Sequence, residues 1–190
     1  MKNITTGVLQ RSLSKVLPNK TIATIVEVLF LFLIGMLAVT LHAKLRIPMG
    51  IPGKHGVLFM FLLISAYSFS KFRFATLISC AGASILLFTN VLAFDDPFMV
   101  YEYMALGFVM DLLLNGVPRL QSKVWFIAIV CGISWMIIPL SREIIHLTTG
   151  FYFNSLLKGF FIPVMTHFAA GFTGGILGAF AAKGIKSSLN

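Results

Sequence analysis

The chain has 190 residues, 58% of them hydrophobic and only 11% charged, with a mean hydropathy of +0.94. A water-soluble domain carries about 25% charged residues; this composition, with no G-x-x-x-x-G-K-[ST] run and no long polar segment, excludes a soluble motor or catalytic domain. The net charge of +9 would point to nucleic acid in a soluble protein, but here the cations flank apolar runs, which speaks for membrane orientation and against a nucleic-acid partner.

The apolar runs predict an all-α integral membrane protein with six transmembrane helices. Residues 1–21 read as a basic tail carrying Lys2, Arg11, Lys15 and Lys20. The run 22–43 is long enough to span and no small-residue cleavage site follows it, so it reads as a retained first span, not a signal peptide. Glu27 lies inside it. A carboxylate at depth costs ~2.5–3.5 kcal/mol on insertion scales, so Glu27 is either functional or an interfacial partner of Lys20.

Segment 44–56, KLRIPMGIPGKHG, is a loop by its Pro and Gly content. Its glycines expose backbone amides and its prolines stiffen the path. Lys54 and His55 stand just before the next helix, whose N-terminus favours negative charge. The loop either closes over an anionic or polar ligand or is a re-entry turn with Lys54 on lipid headgroups.

The second span, 57–70, is short. The third, 74–94, stops at Asp95-Asp96-Pro97, and the fourth covers 99–115. Tyr101, Glu102 and Tyr103 open the fourth. Glu102 offers a carboxylate and Tyr103 a stacking ring to a cavity; the alternative is an aromatic belt with an interfacial acid. Asp111 reads as a partner of Arg119, Lys123 or another subunit.

The fifth span is 124–141. Trp135, Arg142, Glu143 and His146 gather at its end, with Arg142 and Glu143 as surface pairs of little energetic value. A mixed amphipathic stretch, 142–158, precedes the sixth span, 159–182. His167 lies in that span, about two turns beyond Lys158, as a ligand contact or an interhelical hydrogen-bonder. Gly171, Gly174, Gly175 and Gly178 repeat the small-x-x-x-small spacing that lets helices approach closely, within the chain or on another subunit. Residues 183–190 form a tail.

The 15 Lys/Arg sort by side. The two tails and the turns at 71–73 and 117–123 hold ten of them, and the opposite face holds five together with Asp95, Asp96, Glu102 and Glu143. The positive-inside rule therefore puts both termini in the cytoplasm. Cys80 and Cys131 fall in apolar runs as small buried residues. No protease, esterase or metal-ligand spacing is present, so no enzyme activity, cofactor or metal is expected.

The run Ile47 to Gly56 (I-P-M-G-I-P-G-K-H-G) and the later Y-x-x-x-G-x-x-x-D-L-L of Tyr103, Gly107, Asp111, Leu112 and Leu113 resemble the substrate-binding S component of an energy-coupling-factor (ECF) transporter. The resemblance implies capture of a vitamin or similar micronutrient in an outer cavity built from the loop after helix one and helices four to six. It also implies docking on a transmembrane coupling subunit driven by cytoplasmic ATPase subunits. Gly35 and Ala38 stand where that family docks through small residues of its first helix, in place of an Ala-x-x-x-Ala pattern. The chain begins Met1-Lys2, unlike the Met-His of the cobalt and nickel branch.

The combined expectation is a non-catalytic, multi-pass subunit of the cell membrane that binds a small ligand from outside. Gly53, Lys54, His55, Glu102, Tyr103, Trp135, Arg142, Lys158 and His167 would line or close the site. Gly35, Ala38, Gly171, Gly174, Gly175 and Gly178 would serve docking. The excess of outer cations over buried acids hints at a ligand carboxylate or phosphate. The alternative is a structural or lipid-handling subunit that uses its glycine-rich last helix and its 19 Phe against partners or lipid.

Overall fold

The computed structural model describes residues 16–17, 19–45, 51–92, 94, 96–157 and 159–188, and all regular structure among them is helical. The helices are α1 (Lys20–Lys44), α2 (Gly56–Phe69), α3 (Ala75–Phe88), α4 (Met99–Gly116), α5 (Val124–Trp135), α6 (Ile137–Thr149) and α7 (Phe161–Ser188). Single 3-10 turns occur at Pro118–Leu120 and Asn154–Leu156.

Local chemistry sets several boundaries. Asn19 caps α1 by accepting a hydrogen bond from the Thr21 amide at 2.9 Å. The expected fifth span is divided at Met136 because Pro139 has no N–H for the Trp135 carbonyl and its ring crowds that turn. The amphipathic stretch after it is therefore mostly α6, which ends on Gly150 in the left-handed region (φ 72°). The third apolar run stops being helical at Phe88, short of its expected end, and α7 continues through the expected C-terminal tail to Ser188.

Lys20–Lys44, the unit Val124–Thr149 and Phe161–Ser188 are each long and apolar enough to cross a membrane. Successive helices run up and down. Their contacts close a ring in the order α1, α2, α7, α5, α4, α3 and back to α1, while α6 lies at one end. The outward faces are apolar: Leu29, Leu33, Phe108, Leu112, Phe161 and Phe180 are all exposed. Polar side chains such as Glu27, Asp111 and Ser134 are buried instead. This pattern reverses that of a water-soluble bundle and suits a lipid surrounding.

Two of these buried acids hold helix ends. Glu27 is not an interfacial partner of Lys20: its Oε1 accepts from the Ser70 hydroxyl and the Lys71 amide, both at 2.8 Å, tying α1 to the α2–α3 turn. Asp111 has a role at the neighbouring helix that the sequence did not suggest. Its carboxylate accepts from the Thr76 and Leu77 amides at 3.3 and 2.8 Å and caps α3, whose own N-cap is Phe74.

The small residues expected to dock a partner face this chain's own helices. Gly35 meets the Ser79 carbonyl where α1 crosses α3, and Gly82 of α3 meets the Phe32 carbonyl in return. Ala38 is buried beside them. Gly171 and Gly175 abut Cys131 of α5, and Gly174 and Gly178 abut Val57 and Phe61 of α2. The last helix thus lies against two neighbours at backbone distance, and the small-x-x-x-small spacing is consumed inside the bundle.

A Cβ at Gly35 would overlap the Ser79 carbonyl, whereas one at Gly116 meets nothing within 4 Å. Gly35→Val should therefore cost about 3 kcal/mol or more by overpacking, seen as a clear drop in Tm in detergent. Gly116→Ala should leave Tm unchanged or slightly raised.

Candidate functional site

A cavity of about 190 Å³ opens at the end of the bundle where α1, α3 and α5 finish and α2, α4 and α7 begin. α1 contributes His42, the α1–α2 loop Pro52, Gly53 and His55, and α4 Met99. Trp135 ends α5, Ile138 and Arg142 come from α6, Ser155 from the second 3-10 turn and His167 from α7. The break at Met136 matters here. It starts α6, from which Ile138 and Arg142 reach the cavity.

The floor is aromatic. Phe59 stacks on Tyr103 with centroids 4.7 Å apart, and Trp135 lies 5.3 Å from Phe59 and 6.1 Å from Tyr103. Tyr103 and Trp135 are almost wholly buried. Tyr103 hydroxyl and His42 Nδ1 share a 2.7 Å hydrogen bond, and His42 stacks on His55 at 4.5 Å. His167 lies nearly parallel to Trp135 at 6.1 Å, and its Nδ1–H donates to the Pro163 carbonyl at 2.7 Å.

The loop is anchored into this floor. Trp135 Nε1–H donates to the Gly53 carbonyl at 3.1 Å. Gly53 has φ 75°, and a Cβ there would press on the His167 ring. A Cβ on Gly56 would meet the Trp135 indole. Glycine is required at both positions: at Gly53 by backbone conformation and close approach together, at Gly56 by close approach alone.

The rim is held by one guanidinium. Arg142 Nε donates to Glu102 Oε1 at 3.0 Å, Nη2 to Asp96 Oδ2 at 2.6 Å and Nη1 to Ser155 Oγ at 3.1 Å. Its plane also sits 5.5 Å from the Phe153 ring. The expected surface pairing of Arg142 with Glu143 is not formed. Arg142 turns inward and joins α6 to α4, to the loop before α4 and to the turn before α7. Glu143 points the other way, into a second depression of about 200 Å³ with His146 and Tyr152.

Of the residues singled out from the sequence, Gly53, His55, Trp135, Arg142 and His167 meet at the cavity. Glu102 and Tyr103 stand behind this lining, one under Arg142 and the other in the floor. Lys54 is beside the cavity in the loop, and Lys158 lies outside the described residues. His42, Asp96 and Ser155 were missed. His42 carried a readable signal, a polar residue in the last turn of an otherwise apolar run.

Burial, and after it the Lys54 charge, hold the His55 imidazole below its ordinary value of about 6.5. The unfolded chain then binds a proton more readily than the folded one, so His55 costs stability as pH falls below about 6.5. Tm measured in detergent from pH 7.5 to 5.0 should fall less steeply for His55→Gln than for the parent chain.

Arg142→Gln would leave Glu102 and Asp96 facing each other without their cation. The expected loss is about 3 kcal/mol, the low end for a broken buried pair, because the Arg142 side chain retains 13% exposure. In a double-mutant series followed by Tm, adding Glu102→Gln to Arg142→Gln should recover part of that loss.

No known protein-family signature, curated protein or solved structure matches the chain.

Proposed function

We propose that this chain is the membrane-embedded substrate-binding subunit of an ECF-type importer, capturing a vitamin-like small molecule at the outer face. In this reading it has six transmembrane helices, both termini are cytoplasmic, and delivery depends on a transmembrane coupling subunit and ATPase subunits. The observation that carries the reading is the aromatic cavity at one end of the ring, where the loop residues Pro52, Gly53 and His55, α6 and the start of α7 converge. Small-molecule sites are concave, mainly apolar and supplied with a few converging polar groups, as this one is.

The shorter helices fit this arrangement. α2, with 14 residues, spans about 21 Å at 1.5 Å per residue, less than a ~30 Å hydrocarbon core. The loop before it would therefore lie at membrane depth, where irregular backbone is tolerated only if buried in protein or lining a cavity. Gly53, bonded to Trp135 and pressed on His167, meets that condition. A coupling subunit would have to meet residues other than Gly35, Ala38, Gly171, Gly174, Gly175 and Gly178, which are enclosed.

Protein purified in mild detergent should retain a small molecule, identified by mass spectrometry of the extracted ligand. Trp135→Ala and His167→Ala should each lower the retained fraction at least tenfold. Recovery of lipid alone, unchanged by either substitution, would instead favour a structural or lipid-handling subunit. Cys80 and Cys131 are both buried, so single cysteines introduced at Asn154 and Ser188 can report topology. A membrane-impermeant thiol reagent applied to intact cells should label the first and not the second.

A further inference from the structure

Lys54 stands beside the cavity and its charge reaches His55, but the charge carried by the lining and its direct partners is not that of an anion site. Arg142 is the one fixed charge among the described residues that line the cavity, and it is already committed to two carboxylates, at 2.6 and 3.0 Å. The pole made by Arg142, Glu102 and Asp96 therefore sums to −1. With either acid protonated it is no better than neutral. Glu102 Oε2 is buried with no hydrogen-bond partner, which adds an unmet acceptor at the same pole.

The hydrogen-bonding inventory points the same way. Trp135 donates its single N–H to the Gly53 carbonyl. His167 donates Nδ1–H to Pro163 O, a group that can only accept, so Nε2 of the neutral ring carries a lone pair. Three of the five guanidinium N–H groups are directed at Glu102, Asp96 and Ser155. The indole and His167 N–H groups and three guanidinium N–H groups are thus spent, while His167 Nε2 remains an open acceptor. The walls are flat rings: His42 stacked on His55 at 4.5 Å, and His167 nearly parallel to Trp135 with an interplanar angle of 27°.

We propose that this site selects a planar heterocycle that is uncharged or cationic and donates hydrogen bonds, and that it discriminates against carboxylates and phosphates. The inference rests on the capture reading and specifies its ligand. A cationic ring gains from the aromatic walls and from the Glu102–Asp96 pole. An anion would have to share Arg142 with two carboxylates that already hold it, and would meet their repulsion.

Two probes of the same ring and opposite charge test it: 4-aminoquinoline, a cationic N–H donor at pH 7.4, and quinoline-4-carboxylate. Both are titrated calorimetrically into the full chain in lipid nanodiscs, after any co-purified ligand has been removed and identified. The expected result is a Kd at least tenfold lower for 4-aminoquinoline. Asp96→Asn and Glu102→Gln, each of which returns positive charge to Arg142, should shift the ratio at least fivefold toward the carboxylate. Equal affinities, a preference for the carboxylate, or a ratio unmoved in both variants overturns the charge assignment while leaving ligand capture standing. A co-purified ligand bearing a carboxylate or phosphate does the same. Failure of both probes to bind, with no small molecule co-purified, overturns the assignment and the capture reading together.

Discussion

A bundle whose outer surface is as apolar as its interior gains little from hydrophobic burial alone, because moving an apolar side chain from lipid to core changes its surroundings hardly at all. What remains is close contact. Here helices meet at backbone distance through glycine: Gly35 and Gly82 at the α1–α3 crossing, and the α7 glycines against α5 and α2. α7 can lie in the groove between α5 and α2 only because its glycines face both. Buried acids supply the second kind of hold. Glu27 and Asp111 bind backbone amides at the far end of the bundle, and Arg142 gathers two carboxylates at the cavity end.

The cavity follows from two interruptions in this packing. Pro139 ends α5 early and starts α6 beside the cavity, while α2 begins late, leaving Ile51–His55 to fold inward against Trp135 and His167. The loop turns on the Gly56 amide bonded to the Gly53 carbonyl at 2.8 Å, and Gly53 also receives the Trp135 indole. The void that results is walled by rings and closed by a guanidinium cluster, so its floor is rigid and its rim is charged.

The helices were legible from hydropathy because an apolar run of spanning length leaves few alternatives in lipid. Their ends were less so. Residues 89–92 continue the apolar run of α3 without being helical, and the division at Met136 lies inside a run that reads as continuous. The site was legible in part. Gly53, His55, Trp135, Arg142 and His167 stand out as glycine at a strained turn or as polar and aromatic groups near span ends. His42 was passed over although a polar residue in the last turn of an apolar run is a signal, because that signal alone names no role, and Ser155 because a serine in a loop is ordinary. Their importance comes only from what stands opposite them.

Partner assignments failed where the sequence offered a near neighbour. Arg142 beside Glu143, and Glu27 within reach of Lys20, are pairs that proximity along the chain proposes, yet both residues bond instead across the bundle. By itself the sequence determined the apolar runs, the placement of charge between them and the glycine spacing in α7, since each depends on residue type and local period alone. Tertiary structure decided that those glycines serve internal packing, that Asp111 caps α3, and that the rim cation is already neutralised. These are matters of which groups meet across the bundle, and the ring order of the helices sets them.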